Sequence, residues 1–127
     1  MAKILVVDDE VHIRALLEQT LEELEDYYDD VEILSASNGK EGLKLIREER
    51  PDLVFLDVMM PKMNGYEVCR TVKSDPELKD TKIILVTAKG QEVDKKQGLE
   101  AGAMDYITKP FDPDEILERA KNILECE

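Results

Sequence analysis

Three short stretches of this chain are almost unbroken in apolar residues: Lys3–Val7, Leu53–Leu56 and Ile83–Val86. A strand with one solvated face alternates polar and apolar side chains, whereas a strand buried on both faces reads as a continuous run. These three stretches are therefore expected at the centre of a parallel sheet. Two weaker runs, Val31–Ala36 and Met104–Ile107, complete a series spaced roughly 20 to 30 residues apart. Val31–Ala36 is the more polar and is expected near an edge. Parallel neighbours need a crossover long enough to hold a helix, and this spacing supplies one each time.

Helical patterns fill the gaps. Ile13, Leu16, Leu17, Thr20, Leu21 and Leu24 form one stripe of an amphipathic helix, and the acidic stretch Glu22–Asp30 reads as its end plus a solvated loop. Asn38-Gly39 opens a second helix carrying Leu43 and Ile46. Gly65, Val68, Cys69 and Val72 mark a third. The last helix starts with Asp112 as N-cap, Pro113 in the first turn and Glu115 three residues after the cap. Ile116, Leu117, Ala120, Ile123 and Leu124 form its buried face. The fourth helix, around Gln91–Glu100, has only Val93 and Leu99 to bury and carries Gly98, which costs roughly 1 kcal/mol against Ala in a helix interior. It reads as a weakly anchored surface helix, and segments of low stability are those free to shift. The alternation implies an α/β fold with right-handed crossovers, in one domain spanning residues 1–127.

Charged residues make up 37% of the chain and the formal net charge is −13, which argues against direct binding to nucleic acid or to an anionic membrane surface. The apolar start is too short for a signal peptide or a membrane span, so a cytoplasmic location is expected. Cys69 and Cys126 have no His or Cys at metal-ligand spacing and read as structural or incidental. His12 reads as an exposed helical residue.

In open α/β sheets ligands bind beyond the carboxyl ends of the strands. Asp8 and Asp9 follow the first strand, Asp57 ends the third, Thr87 ends the fourth, and Lys109 with Pro110 follows the fifth. Each has an ordinary reading. Asp9 or Glu10 would serve as a helix cap, Thr87 as a strand-end hydroxyl satisfied by backbone, and Lys109 as a solvated lysine. Asp57 is harder to dismiss, because an unpaired charge behind Leu53-Val54-Phe55-Leu56 is expensive. Carboxylates gathered at one edge repel. A divalent cation relieves that repulsion, and hard oxygen donors suit Mg²⁺, with Mn²⁺ able to substitute. One carboxylate beside such an ion can attack phosphorus to give an aspartyl phosphate. Lys109 and Thr87 would then serve the phosphoryl oxygens.

The ordered set Ile4-Leu5-Val6-Val7-Asp8-Asp9-Glu10, Leu56-Asp57-Val58-Met59-Met60-Pro61 with Asn64-Gly65, Val86-Thr87-Ala88, and Tyr106-Ile107-Thr108-Lys109-Pro110-Phe111 resembles the receiver domains of two-component response regulators over about residues 3 to 125. The resemblance implies a flavodoxin-like (βα)5 sandwich, its parallel sheet in order 2-1-3-4-5 with helices on both faces. It implies that Asp57 is the phosphoacceptor. Asp9, Asp57 and the Met59 backbone carbonyl would be direct metal ligands, with Asp8 acting largely through water. Thr87 and Lys109 would bind phosphoryl oxygens, and Tyr106 would change rotamer as Thr87 moves. The Lys109–Pro110 bond would be cis.

The resemblance further implies a histidine kinase or phosphotransfer protein as donor, and a downstream target or attached output domain as reader. It implies a signalling switch rather than a turnover enzyme. Two positions that tune rates in that family are here Met59 and Lys89. Neither would position an attacking water, so a long-lived phosphoaspartate is expected. An aspartate-nucleophile phosphatase is disfavoured, because its general acid would sit where Met59 stands. A receiver-like module that no longer uses phosphate is disfavoured by the intact acid, Thr and Lys set. A single-domain regulator and the receiver of a longer chain both stay open.

Overall fold

The computed structural model describes residues 2–28, 30–88 and 95–125. In chain order the elements are β1 (Ala2–Val7), α1 (Val11–Glu22), a 3-10 turn (Glu23–Asp26), β2 (Val31–Ala36) and α2 (Gly39–Glu49). Then come β3 (Leu53–Asp57), α3 (Gly65–Ser74), β4 (Lys82–Ala88), α4 (Lys95–Glu100), β5 (Asp105–Lys109) and α5 (Pro113–Glu125). All five strands pair in parallel, in the order β2-β1-β3-β4-β5. This is the expected doubly wound sheet, with the more polar Val31–Ala36 at one edge. Lys89, the beginning of the fourth helical pattern with Val93, and Cys126 lie outside the described residues.

The pleat divides each central strand between two cores. Leu5, Val7, Val54, Leu56, Ile83 and Leu85 point to the side covered by α2, α3 and the end of α4, where they meet Ile46, Val68, Val72 and Ala101. Ile4, Val6, Leu53, Phe55, Ile84 and Val86 point to the other side, under Leu17 and Leu21 of α1 and Ile116 and Ala120 of α5. Burial on both faces is why these strands carry no alternation. In α1, Leu16 is 41% exposed, although the stripe includes it. It lies at the margin of the arc centred on Leu17, Thr20 and Leu24, beyond the reach of the sheet.

Helix starts are set by side chains. Asn38 Oδ1 accepts from the Glu41 N–H at 2.8 Å. At α3 the Glu67 N–H donates to Asn64 Oδ1 at 3.0 Å, and the Asn64 N–H donates back to Glu67 Oε1 at 3.4 Å, a reciprocal capping box. At α5, Asp112 Oδ1 accepts from the Asp114 N–H at 2.9 Å. Glu115, placed for the same reciprocal bond, instead accepts from Arg119 at 3.0 Å. Cys69 is fully buried, and burial pushes its thiol up to about 11, which fits a packing role.

Since the Asn64 cap ends the loop that leaves Asp57, Asn64→Ala is expected to cost about 1 kcal/mol. Asn64→Asp should hold most of that stability. Urea unfolding of the two variants checks this, and equal midpoints would remove the cap from the account.

Candidate functional site

A parallel sheet brings every carboxyl end to one edge, and the register decides which residues meet there. Val7 pairs with Leu56, Asp57 with Val86, Thr87 with Thr108 and Ala88 with Lys109. Asp8 and Asp57 therefore emerge side by side from β1 and β3. Lys109 reaches back across β4 towards them. Its ammonium lies 3.1 Å from Asp8 Oδ2, 3.3 Å from Asp57 Oδ1 and 3.7 Å from Glu10 Oε1. Asp8 is fully buried and Asp57 4% exposed, while Asp9 and Glu10 face solvent.

Gly65 explains the close fit behind Asp57. A Cβ there would stand 2.5 Å from the Asp57 carbonyl oxygen, so only glycine lets α3 start against the end of β3. The alternative reading of Glu10 as a helix cap does not hold: Glu10 occupies the N-cap position of α1 without a side-chain bond. Asp8 serves that turn instead, its Oδ1 accepting from the Glu10 N–H at 2.9 Å.

The electrostatics follow from burial. Loss of solvent pushes the Asp57 carboxyl up to about 7, and the charge of Asp8 pushes the same way. Lys109 opposes this, and Asp9 adds a smaller push upward. Asp8 is also raised, first by burial, against the pull of the Glu10 amide and Lys109. For Lys109, burial alone would lower the pKa, but Asp57 and Asp8 outweigh it and the ammonium is held charged. One lysine thus leaves the buried acids short of positive charge.

The residues fit a hard divalent cation. Asp8 Oδ2 stands near Lys109 but has no aligned hydrogen bond, and among the described residues it is the one buried side-chain oxygen left so. Carboxylate oxygens of Asp8, Asp9 and Glu10 lie within 4.8 Å of one another, a spacing that an oxygen-seeking ion such as Mg²⁺ or Mn²⁺ can bridge. Asp57 is linked to that trio through Lys109, whose ammonium touches Asp8, Glu10 and Asp57. Met59, two residues further on, is 59% exposed. Glu10 was not singled out as a site residue from the sequence. Its signal is its place as third acid in Asp8-Asp9-Glu10.

Thr87 is 3% exposed. Thr87 and Tyr106 line one small pocket together with Leu85, Gly98, Leu99 and Ala103. Tyr106 is half-buried and packs against the core on the α2–α3 side. The Lys109–Pro110 peptide bond is cis. His12 is exposed on α1. A separate groove of about 580 Å³ lies between Ser37–Lys40 and Pro61–Met63, lined by none of the strand-end residues above.

Residues 4–121 match the family model for the response regulator receiver domain. The chain belongs to that family. The receiver domain is 47% identical over 122 residues to the alkaline phosphatase synthesis transcriptional regulatory protein PhoP of Bacillus subtilis, covering 96% of this chain and 48% of that protein. It is likewise 47% identical to the transcriptional regulator ycf27 of Porphyra purpurea, covering 96% of this chain and 47% of that one. The chain therefore spans about half the length of the curated relatives it matches. Among solved structures, a response regulator from Chloroflexus aurantiacus superposes with a TM-score of 0.89 at 37% identity, covering 98% of both chains. The chemotaxis protein CheY4 of Vibrio cholerae gives 0.84 at 32% identity, covering 97% of this chain and 98% of that one. The sheet order seen here is the flavodoxin-like order of such receivers.

A raised carboxyl has a thermodynamic signature. Folded Asp57 titrates near 7 instead of 3.8, so between those values the folded state holds a proton that the unfolded state has lost. Stability therefore falls as pH rises through this window. In metal-chelated protein Asp57→Asn is expected to flatten the decline between about pH 4 and 7. It should be the more stable form at pH 8, by about 1–3 kcal/mol once screening by nearby solvent is allowed for. Urea titrations across pH check it; parallel curves for the two proteins would refute the assignment.

Proposed function

We propose that Asp57 accepts a phosphoryl group, in a Mg²⁺-dependent reaction, from a histidine kinase or phosphotransfer protein. The change passes through Thr87 to the face formed by Tyr106 and α4 and so controls partner binding. The observation that carries this reading is the contact of one ammonium, Lys109, with both buried carboxylates, Asp57 at 3.3 Å and Asp8 at 3.1 Å.

The chemistry assigns each residue a task. A carboxylate oxygen of Asp57 forms the new bond to phosphorus while the bond from phosphorus to the donor imidazole breaks. The leaving nitrogen takes a proton from solvent or from its own protein. Asp57 must be ionised to attack, and a carboxyl near 7 is only partly so at neutral pH, so added positive charge beside it raises the nucleophilic fraction. Asp8, Asp9, Asp57 and the Met59 carbonyl are the groups to hold a divalent ion, which when bound supplies charge compensation for the transferring oxygens. Lys109 offers a second cation to those oxygens and Thr87 a hydroxyl donor.

The reader lies outside the receiver domain. Relatives about twice as long are named as transcriptional regulators, which supports an attached output domain. A separate target protein fits the same face. The net charge of −13 argues against nucleic-acid contact by this domain. No helix among the described residues is long and apolar enough to cross a membrane, and a cytoplasmic site of action suits a kinase donor.

Incubation with Mg²⁺ and acetyl phosphate, read by intact mass, tests the reading. One phosphoryl mass is expected on the native chain and none on Asp57→Asn. Lys109→Met should take up the group slowly, and Thr87→Ala should take it up without a change at Tyr106. Uptake by Asp57→Asn would sink the assignment.

The lifetime of the product is a separate outcome. Met59 and Lys89 are neither acid nor amide and do not readily orient water, so the phosphoaspartate is expected to be long-lived, and Met59→Asn should shorten its lifetime. Loss within minutes from the purified native protein would contradict this.

A further inference from the structure

Arg14 lies one turn into α1 and is half-buried. Its guanidinium makes no ion pair among the described residues, although the three carboxylates of Asp8, Asp9 and Glu10 crowd the adjacent turn. Its Nη1 instead donates to the backbone carbonyl of Asp8 at 2.8 Å, while its own N–H donates to the Glu10 carbonyl at 3.0 Å. The turn Asp8–Glu10 is thus gripped from both ends of one residue. The same turn is tied at its start by the Asp8 N–H, which donates to the Ala36 carbonyl at 3.2 Å. These ties hold the chain as it enters α1, a helix with no side-chain cap and no acid in its first turn. They also oppose a specific force. Asp8, Asp9 and Glu10 hold carboxylate oxygens within 4.8 Å of one another, and their mutual repulsion, offset only in part by Lys109, acts to open the turn.

We propose that Arg14 is a positioning residue for the divalent-cation site: by holding the Asp8 carbonyl it keeps the acidic turn closed, so that its carboxylates converge before the ion arrives. This rests on the proposed function for the identity of the ion. Groups that orient metal ligands commonly change affinity by 10- to 100-fold when removed. The proposal also has a sign that a charge effect lacks. A guanidinium acting only through space repels the ion, so deleting it would tighten binding. A guanidinium that positions the turn does the opposite, and deleting it weakens binding.

The test is Mg²⁺ titration by calorimetry on unphosphorylated native protein, Arg14→Met, Arg14→Gln and Arg14→Lys. Amide exchange at Glu10, whose N–H reports closure of the turn through Asp8, is measured in the metal-free state. Arg14→Met and Arg14→Gln are expected to bind Mg²⁺ about 10-fold or more weakly and to exchange the Glu10 amide faster. Arg14→Lys, which keeps the charge and one donor, should recover part of both. Should one uncharged variant fail to fold, the other decides. Affinity equal to or tighter than native in the folded uncharged variant overturns the proposal, as does native-like exchange at Glu10. A native protein that binds Mg²⁺ but takes up no phosphoryl group at Asp57 overturns the proposed function and leaves the role of Arg14 standing. A native protein that binds no Mg²⁺ overturns both.

Discussion

The contact of the Lys109 ammonium with Asp8 and Asp57 joins the ends of three strands, and most of the site follows from it. Burying either carboxylate unpaired would cost several kcal/mol, and the apolar run behind Asp57 leaves it little water to lean on. Lys109 lowers that cost without removing it, because both acids stay shifted upward despite its charge. Three carboxylates, those of Asp8, Glu10 and Asp57, face this one ammonium, and Asp9 adds a fourth beside Asp8 and Glu10. The imbalance makes the edge receptive to further positive charge. It also means that any change in the charge of Asp57 is felt at once by Lys109 at the end of β5.

The sheet carries such a change away from the acids. Thr87 follows Leu85 on the same face of β4, and Tyr106 lies beside Leu85 in the register of β5. Both reach the pocket that Gly98 of α4 also lines. By propensity Gly98 is a defect in a short helix. In the structure it is a contact residue as well: a Cβ there would lie 2.6 Å from a Leu85 methyl. The missing side chain lets α4 settle against the core next to Thr87. Of the two apolar residues that the sequence offers this helix, Leu99 is 53% exposed and Val93 lies outside the described residues. Among the described residues of α4, Gly98 is buried while its neighbours Lys96, Gln97, Leu99 and Glu100 are exposed, and Ala101 follows it into the core. An element held in this way is more easily displaced than α3 or α5, whose stripes are buried along their length.

The architecture was legible because its signal is redundant. Unbroken apolar runs, helix starts at Asn38 and Asp112, and even spacing all point to one topology. The positions of Asp8, Asp57, Thr87 and Lys109 at a common edge follow from that topology alone. What stayed hidden depends on contacts that no local pattern encodes. Arg14 looks like any solvated helical arginine until the Asp8 carbonyl is found beside it. Gly65 and Gly98 differ in role only through what lies opposite them, a carbonyl in one case and a methyl in the other. The misplacement of Leu16 has the same origin: a stripe fixes the direction a helix faces but not the width that its neighbours cover. Glu115 likewise had two partners in reach, the helix N-terminus and Arg119, and composition does not choose between them.

Under the proposed function, the energy available at Asp57 limits what the receiver domain can do by itself. Moving a two-state equilibrium from 1:99 to 99:1 takes about 5.5 kcal/mol. A phosphoryl group on Asp57 would gain a hydroxyl bond from Thr87, worth about 0.5–3 kcal/mol depending on the charge it meets. Lys109 adds less than a new ion pair would, because it already touches Asp57 at 3.3 Å and exchanges one acceptor for another. These contacts fall short of a full inversion. The remainder has to come from whatever binds the α4 and Tyr106 face, which contributes about 2.7 kcal/mol at a hundredfold excess over its Kd. Linkage then requires that the partner stabilise the phosphorylated arrangement by as much as phosphorylation tightens the partner. The domain is thus built to be completed by its reader, and a small bias at four strand ends is enough to select which arrangement the reader meets.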